Sequence, residues 1–322
     1  MADNNDQELE SQKAYQPYYT FLNDVWKPVS SSSSLDKPTS QDDTSQSEFL
    51  FSILSWNIDF QREFSEPRMK AALNHVHSLL LNNTPNTIIV FQEMEEVDLR
   101  IIQQQQWVRD GFWMTDLTKM MFWGLMKQKG TVMLISKSLN IKNVFRVHYD
   151  NTEMQRDGLF VDVELCNGRL LRVCTTHLES LRAKIPKRLG QMTTTAKYLK
   201  QADVGVVAGD MNAIQDFDSE LPKENGLKDA YLESGGVEGD EGMTWGQMAF
   251  KIQRKQFGLT RMDKVLYCGR WAELKGFGWF GEGVEVEGED EKREMMEELG
   301  EELERPWVTD HLGVRGDFRI VF

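Results

Sequence analysis

The sequence predicts a strand-rich α/β protein built on a mixed sheet or on two sheets. Apolar runs of strand length alternate with longer polar stretches of helical periodicity along most of the chain. Two such runs, residues 159–165 and 170–178, are separated by Asn167-Gly168, a dipeptide typical of tight hairpin turns. A hairpin brings antiparallel strands into the fold, so a purely parallel sheet is disfavoured.

The order of the elements follows from residue 49 onward. Phe49 to Ile58 has the composition of a buried strand, and Met69 to Leu80 has the periodicity of an amphipathic helix. Glu285 to Glu304 carries mostly like charges and is predicted as a solvated helix or a disordered loop. The further predicted elements are strands at residues 86–94, 130–136, 203–211, 262–268 and 316–322 and a helix at Lys187 to Gln201.

The length and composition are those of one catalytic domain. A chain of 322 residues with 40% hydrophobic content can bury one large core, which we assign to residues 49–322 after a segment of residues 1–48. Ser30 to Ser47 has the Ser, Asp, Thr and Gln content of a disordered linker. Upstream aromatic side chains are costly to leave in water, so we expect them to pack on the domain; a separate partner-binding peptide is the alternative. These aromatic residues are Tyr15, Tyr18, Tyr19, Phe21 and Trp26.

Several classes of protein are excluded. The chain has no apolar run of about eighteen residues and no basic stretch followed by an apolar one at its start, so we expect neither a membrane span nor a secretory signal. We therefore expect a soluble, intracellular monomer. Cys166, Cys174 and Cys268 form no CxxC pair, which argues against a disulfide framework and a zinc ribbon and favours buried thiols.

The charge is unevenly distributed. A net charge of −14 is unusual for an enzyme that binds nucleic acid, because phosphate binding normally needs a basic surface. Residues 1–48 carry −6, however, and residues 282–304, which we call the acidic segment, carry −10 from twelve acids and two bases. The rest of the chain sums to +2, so positive potential near a catalytic site remains compatible with the composition.

Polar side chains follow five of the apolar runs. Such side chains are expensive to bury without a partner or a metal, and strand ends converge readily, so the five positions suggest a single site. They are Trp56-Asn57-Ile58-Asp59, Gln92-Glu93, Thr176-His177-Leu178-Glu179-Ser180, Gly209-Asp210-Met211-Asn212 and Thr309-Asp310-His311.

Six short motifs in this order resemble the endonuclease/exonuclease/phosphatase superfamily. They are SWNIDF, FQEM, THLES, AGDMN, RMDKVLY and TDHLGV, and the resemblance covers about Phe49 to Phe322. The resemblance implies the four-layer, DNase I-like sandwich of that superfamily, in which two mixed β-sheets are flanked by helices. It also implies metal-dependent hydrolysis of phosphate esters.

Within the superfamily the chain resembles the branch of 5′-tyrosyl-DNA phosphodiesterase 2. The segments that carry this similarity are THLESLRAKIPKRLGQM, NTEMQRDGLFVDVEL and the pair Thr244-Trp245. Two positions depart from the family pattern, because Phe60 stands where a glycine is usual and Ile214 where an arginine is frequent. A missing arginine removes one phosphate or peptide contact, so the substrate is less constrained than the reaction.

The resemblance assigns a role to each polar strand end. Glu93 is the expected Mg²⁺ ligand and Asp310 a second or water-mediated one; Mn²⁺ is a possible substitute for Mg²⁺, since both cations favour oxygen ligands. Asp210 is expected to orient or deprotonate the attacking water, Asn212 to donate to a non-bridging phosphate oxygen, and Asn57 to position the metal shell or the phosphate. His311, held by Asp263, and His177 are the expected phosphate-contacting imidazoles. An isolated exposed carboxylate, Asp-x-Asn turn or structural histidine is the alternative for each motif taken alone.

Four further residues are expected to contact the substrate. Ser180, Arg182 and Arg156 would contact the phosphate or the strand beyond it, with a surface ion pair as the alternative for each arginine. Trp245 would form an apolar wall for a base or a tyrosyl ring, with core packing as its alternative. His75, His77 and His148 lie outside every motif and are predicted to be structural.

These residues imply a Mg²⁺-dependent phosphodiesterase that acts in DNA repair. The expected partner is a DNA 5′ end that carries a tyrosyl or peptide adduct derived from topoisomerase II, and this implies a nuclear location, with the cytoplasm as the alternative. The same chemistry on abasic DNA, an RNA end, a phosphoinositide or sphingomyelin is the alternative function. A non-catalytic scaffold is disfavoured because Asn57, Glu93, Asp210, Asn212 and His311 are all present.

Overall fold

The computed structural model describes residues 2–29, 48–81, 86–122, 129–165, 168–181 and 187–322. Its strands are β1 Ala14–Tyr15, β2 Tyr18–Leu22, β3 Val25–Val29, β4 Glu48–Asn57, β5 Thr87–Met94, β6 Phe112–Met114, β7 Gly130–Ser136, β8 Ile141–His148, β9 Asp157–Glu164, β10 Leu170–His177, β11 Val204–Asp210, β12 Lys228–Asp229, β13 Asp263–Cys268, β14 Ala272–Phe280 and β15 Gly313–Val321. Its α-helices are α1 Ala2–Ser11, α2 Ser65–Leu80, α3 Glu96–Gln104, α4 Gln106–Gly111, α5 Lys187–Leu199, α6 Leu221–Glu224, α7 Ala230–Glu233, α8 Lys251–Phe257 and α9 Glu289–Leu299. Among these residues, no helix has the length and apolar content needed to traverse a bilayer.

The strands form two mixed sheets. Sheet A has the order β1-β8-β9-β10-β11-β13-β12, and sheet B has the order β14-β15-β4-β5-β7-β6-β2-β3. Each sheet contains a parallel pair, β10 with β11 in sheet A and β4 with β5 in sheet B, among antiparallel neighbours. The predicted hairpin is present because β9 pairs antiparallel with β10, although Asn167 lies outside the described residues. The expectation of mixed sheets is confirmed.

The two sheets pack face to face, and helices cover their outer faces. Alternate side chains of both sheets meet in a central apolar cluster that includes Ile53, Val90, Val161 and Val206. The outer face of sheet B packs against α2 and α3, and the outer face of sheet A packs against α5. The four-layer arrangement expected from the sequence is therefore confirmed. Cys174 and Cys268 are free, buried thiols, and Cys166 lies outside the described residues.

The sequence patterns located eight of the fifteen strands that the structure describes, and the strands they missed include two long ones, β8 and β14. β4, β5, β7, β10, β11 and β13 begin and end within about one or two residues of their predicted bounds. β8 was missed because polar residues interrupt it, among them Arg146, which is buried and paired with Asp116 and Asp157. β14 was missed because it is mostly half-buried and contains Gly276 and Gly278. His148, which lies outside every motif, is the last residue of β8.

Residues 14–29 add strands to both sheets. β1 pairs with β8 in sheet A, while β2 pairs with β6 and β3 in sheet B. The aromatic side chains expected to pack on the domain make such contacts, since Tyr18 meets Trp113 edge to face with ring centroids 5.4 Å apart. Residues 30–47, predicted to be a linker, lie outside the described residues. The division of the chain at residue 48 stays a prediction.

Arg68 links the loop after β4 to the segment that precedes β15. Its guanidinium is buried and donates hydrogen bonds at 2.6–2.9 Å to backbone carbonyl oxygens only. These acceptors belong to Ile58, Asp59, Arg62, Glu63 and Val308. Carbonyl oxygens of the loop after β4 and of Val308 accept hydrogen bonds from the same guanidinium. Arg68 therefore sets the distance between the motif that contains Asn57 and the motif that contains Asp310.

We predict that Arg68→Met lowers the free energy of unfolding by about 3 kcal/mol or more, because several buried carbonyl oxygens lose their donor. Urea unfolding measures this difference from the shift of the midpoint, provided that the slope of free energy against urea concentration is unchanged. Arg100→Met, the same change at an exposed position of α3, should stay within about 0.5 kcal/mol of the parent. Equal midpoints for both variants would contradict the role given to Arg68.

Candidate active site

The parallel strands of the two sheets end at one cleft. β4 and β5 of sheet B and β10 and β11 of sheet A deliver Asn57, Glu93, His177 and Asp210 to it. The cleft has a volume of about 390 Å³. Its lining comprises Asn57, Asp59, Gln61, Glu93, Lys129, His177, Ser180, Leu181, Asp210, Asn212, Ile214, Trp245, Gln253, Phe257, Thr260, Met262, Asp310 and His311. All five polar strand ends found in the sequence therefore meet in space.

Asp210 lies at the centre of the polar wall and is buried. Its Oδ2 accepts a hydrogen bond from Asn57 Nδ2 at 2.9 Å and lies 3.3 Å from His177 Nε2. Its Oδ1 accepts one from the backbone N–H of Asn212 at 2.8 Å. Burial raises the pKa of Asp210, and the neighbouring charge of Asp263 adds to this, although His311 opposes it. A carboxylate held in this way is a better proton acceptor than an exposed one.

His311 and Asp263 form a buried pair beside Asp210. His311 Nδ1 lies 2.8 Å from Asp263 Oδ2, which also accepts a hydrogen bond from Thr244 Oγ1 at 2.8 Å. Burial alone would lower the pKa of His311, but the charges of Asp263, Asp310 and Asp210 outweigh burial and raise that pKa well above its ordinary value. The imidazole is therefore a cation at neutral pH, and its Nε2 lies 3.9 Å from Asp210 Oδ2.

A second wall of the cleft is built from carboxylates. Asp59, Glu93 and Asp310 all line it, and burial together with the charges of Asp310 and Glu93 raises the pKa of Asp59 to about 6. Trp245 Nε1 donates to Asp310 Oδ2 at 2.7 Å, while the buried Oδ1 of Asp310 has no hydrogen-bond donor among the described residues. These carboxylates repel one another, and one of their oxygens lacks a hydrogen-bond donor. Such a set of oxygens is suited to a hard divalent cation.

Among the described residues, the trio whose potential ligand atoms lie within 4.8 Å of one another is Asp210, Asp263 and His311, whereas Asp59, Glu93 and Asp310 are more widely spaced. Histidine binds a metal only when it is neutral, whereas the neighbouring carboxylates raise the pKa of His311 and favour its charged form. The positive charge of the imidazolium already balances the carboxylates of this trio. We therefore favour the carboxylate wall as the cation site.

Glu93 has two partners that the sequence did not suggest. Lys129 Nζ lies 2.7 Å from Glu93 Oε1, and the backbone N–H of Phe60 donates to Glu93 Oε2 at 3.0 Å. The same ammonium sits 3.3 Å from the centre of the Phe60 ring. Phe60 thus uses its ring and its backbone to hold the pair of Lys129 and Glu93 at the floor of the cleft.

Strained backbone is concentrated at the cleft. Within the described ranges, eight non-glycine residues have positive φ, and four of these eight line the cleft. These four are Asp59 (φ 55°), Glu93 (φ 63°), Leu181 (φ 69°) and Asn212 (φ 45°). Such conformations cost of order 1–3 kcal/mol each and persist where the surrounding structure enforces them, which is typical of functional sites.

The remaining side of the cleft is apolar. The rings of Trp245 and Phe257 meet edge to face with centroids 6.3 Å apart, and Ile214 packs nearby. Trp245 is only 7% exposed, whereas Phe257 is 54% and Leu181 62% exposed. Trp245 therefore forms the inner part of this wall and also holds Asp310, while Phe257 and Leu181 present free apolar surface at the mouth.

The predicted substrate-binding residues are distributed unequally. Ser180 and Trp245 line the cleft, whereas Arg156 is buried and lines a water-sized cavity behind Glu93 and His177. Arg182 lies outside the described residues. Asn212 lines the cleft, but its side-chain Nδ2 donates to the carbonyl oxygen of Leu178 at 3.0 Å. Their proposed roles stay predictions.

Sequence reasoning missed Lys129 and Phe257 as cleft residues. It placed Asp59 in the first polar strand end, two residues beyond Asn57, but assigned it no role. Lys129 and Phe257 carried no signal, since a lone lysine before a strand and a phenylalanine ending a short helix are common. Their place in the cleft depends on the packing of the whole chain.

Comparison with known proteins agrees with the family resemblance that the sequence motifs indicate. The family model described as the endonuclease/exonuclease/phosphatase family matches residues 54–311. The chain therefore belongs to this family, whose members are phosphoric ester hydrolases. A search of curated protein sequences gives no match.

Solved structures share the fold. A truncated TDP2 (tyrosyl-DNA phosphodiesterase 2) from Caenorhabditis elegans aligns with a TM-score of 0.60 at 22% identity, over 84% of this chain and 97% of that one. TDP2 from D. rerio in complex with a single-strand DNA product aligns with a TM-score of 0.61 at 17% identity, over 84% and 98%. The catalytic domain of human Nocturnin with a bound sulfate aligns with a TM-score of 0.56 at 16% identity, over 84% and 94%. At these identities the likeness establishes the fold.

We predict that Asp263→Asn lowers the pKa of the His311 imidazole, because the main charge that opposes the effect of burial is removed. In the parent the raised pKa means that the charged pair stabilises the fold below about pH 6.5, and this contribution is lost as the pH rises through the folded-state pKa. Titration of the histidine ring protons by NMR, with His311→Gln for assignment, measures the shift.

Asp216→Asn, at an exposed position, is the matched control and should leave the titration of His311 unchanged. An identical titration of His311 in the parent and in Asp263→Asn would contradict the electrostatic coupling of the pair.

Proposed function

We propose that the protein is a Mg²⁺-dependent phosphodiesterase that hydrolyses the 5′-phosphotyrosyl bond between DNA and a trapped topoisomerase II peptide. The observation that carries this proposal is one cleft with a carboxylate wall, a buried imidazolium and an aromatic wall. These features supply a cation site, a donor to phosphate oxygens and a surface for an aromatic leaving group.

The carboxylate wall would hold the cation. Glu93 and Asp310 are the proposed Mg²⁺ ligands, with Asp59 as a third carboxylate on the same wall. When bound, Mg²⁺ neutralises charge on the phosphate oxygens and helps the leaving oxygen depart. The pairing of Lys129 with Glu93 keeps a positive charge at this carboxylate. Mn²⁺ is a possible substitute for Mg²⁺ because the two cations have similar ligand preferences.

Asp210 would activate the attacking water. Its raised pKa favours proton transfer to it, and the hydrogen bonds from Asn57 and from the backbone of Asn212 fix its orientation. His177, with Nε2 at 3.3 Å from Asp210, would face the phosphate from the same side.

The imidazolium of His311 would donate to a non-bridging phosphate oxygen. Asp263 maintains its charge and, by binding Nδ1, directs Nε2 towards the cleft. This arrangement stabilises negative charge that grows in the transition state, which is where electrostatic stabilisation accelerates a reaction.

The aromatic wall supports a tyrosyl leaving group. Phe257 and Trp245, which also binds Asp310, form the apolar wall of the cleft and could stack on a phenol ring. The fold shared with a TDP2 bound to single-strand DNA product agrees with a nucleic acid on the other side of the phosphate. This substrate implies a role in DNA repair and a nuclear location.

A single-stranded oligonucleotide that carries a 5′-phosphotyrosine tests the substrate. We expect Mg²⁺-dependent release of tyrosine that leaves a 5′-phosphate, no release in excess EDTA, and recovery with Mg²⁺ or Mn²⁺. A panel of an abasic duplex, an RNA end, a phosphoinositide and sphingomyelin is assayed in the same buffer. Turnover of one of these, with none of the tyrosylated strand, would reject the proposed substrate in favour of that compound.

Glu93→Gln and Asp210→Asn test the proposed chemistry. Each should lower kcat on the tyrosylated strand by about 100-fold or more, because the first removes a ligand charge and the second the general base. Circular dichroism and the thermal midpoint check that the variants are folded. Asp216→Asn is the control, with an exposed side chain outside the cleft, and should retain the parent rate. Parent rates in both active-site variants would rule out these roles.

A further inference from the structure

The acidic segment, residues 282–304, is a docked element beside the cleft. Residues Glu285 to Glu304 were predicted to form a solvated helix or a disordered loop; the helix is present as α9, but its Met295 is fully buried. Its apolar side chains join a cluster with the loop that precedes α8. The cluster contains Val286, Met295, Leu303, Trp307, Met248 and Leu312. Because these side chains are buried, the segment has a fixed place against the body.

The segment contacts α8 through its last residues. The backbone N–H of Lys251 donates to the carbonyl oxygen of Glu302 at 2.9 Å, and Lys251 Nζ donates to that of Glu301 at 3.0 Å. Arg254 Nη1 lies 4.0 Å from Glu304 Oε1. The acidic segment therefore lies along the basic face of this helix.

α8 also forms part of the rim of the cleft. Gln253 and Phe257 line the cleft, and Lys251, Arg254 and Lys255 give the helix three positive charges without an acid. An exposed basic helix at this position would ordinarily attract a polyanion. Here the last residues of the acidic segment lie against it, with Arg254 Nη1 4.0 Å from Glu304 Oε1, which is well within one Debye length of about 8 Å at physiological salt.

We propose that the acidic segment is a specificity element that reserves the α8 side of the cleft for the leaving group and keeps a polyanionic strand off that side. The inference rests on the proposed function, because it assumes that a phosphate ester is cleaved in this cleft. The exposed ring of Phe257 receives the apolar part of the leaving group, and the carboxylates of Glu301, Glu302 and Glu304 favour cationic residues that follow it. A leaving peptide rich in lysine is therefore preferred to one rich in glutamate.

Two substrates with one oligonucleotide and different peptides test this inference. The 5′-phosphotyrosine is flanked by two lysines in one peptide and by two glutamates in the other. The parent should cleave the lysine peptide with a kcat/KM about tenfold higher, and the ratio should fall as salt rises, because it is electrostatic in origin. A ratio near one in the parent would overturn the inference.

The variant with Glu301→Gln, Glu302→Gln and Glu304→Gln should bring the ratio close to one. The contacts of Lys251 use backbone carbonyls, so glutamine keeps them and removes only charge. The matched control carries Glu289→Gln, Asp290→Asn and Glu291→Gln in the first turn of α9, which removes the same number of charges from the same segment. The control should keep the parent ratio; an unchanged ratio in the first variant or a lost ratio in the control would overturn the inference.

A chromogenic ester without a peptide, p-nitrophenyl thymidine 5′-phosphate, separates this inference from the proposed function. All three proteins should cleave it at similar rates, because its leaving group carries no peptide charge. Failure of every protein on every phosphate ester would reject the proposed function. Cleavage of the ester and of both peptides without a charge preference would reject the inference alone.

Discussion

One buried hydrogen bond joins the two halves of the molecule at its reactive edge. Asn57 ends a strand of sheet B, Asp210 ends a strand of sheet A, and the two residues are 153 positions apart in the chain. The bond can form only if both sheets pack at one spacing and one angle, which the central apolar cluster determines. Packing in the core therefore fixes the position of the carboxylate that would take the proton.

The electrostatics of the cleft follow from this constraint. Carboxylates from different strands are forced close together in a buried place, so that each raises the energy of the others. His311 relieves this repulsion on one side and Lys129 on the other, since each pairs with a carboxylate. The positive φ of Asp59, Glu93 and Asn212 indicates that the backbone is also held away from its preferred conformations at the same edge. Local strain and like charges are both sustained by the packing of the two sheets.

The fold and most of the polar site could be predicted from the sequence because their signals are local. Apolar strands ending in Asn57, Glu93, His177 or Asp210 combine periodicity with a polar residue that is costly to bury. β8 and the inward position of Arg156 could not be predicted, because both depend on partners far away in the chain. α9 shows the same limit, since its charge indicated solvation while a few apolar residues, Met295 among them, determine where it docks.

The hairpin and short strand of residues 14–29 give the sandwich protected edges. β1 lies beside β8 at one end of sheet A, and β2 pairs with β6 in sheet B, so each covers backbone amides and carbonyls that would otherwise be open. Uncovered strand edges recruit strands from other molecules. A chain shortened to its catalytic motifs would keep the residues of the cleft but would expose the strand edges of β8 and β6. Such a chain would self-associate before it lost activity.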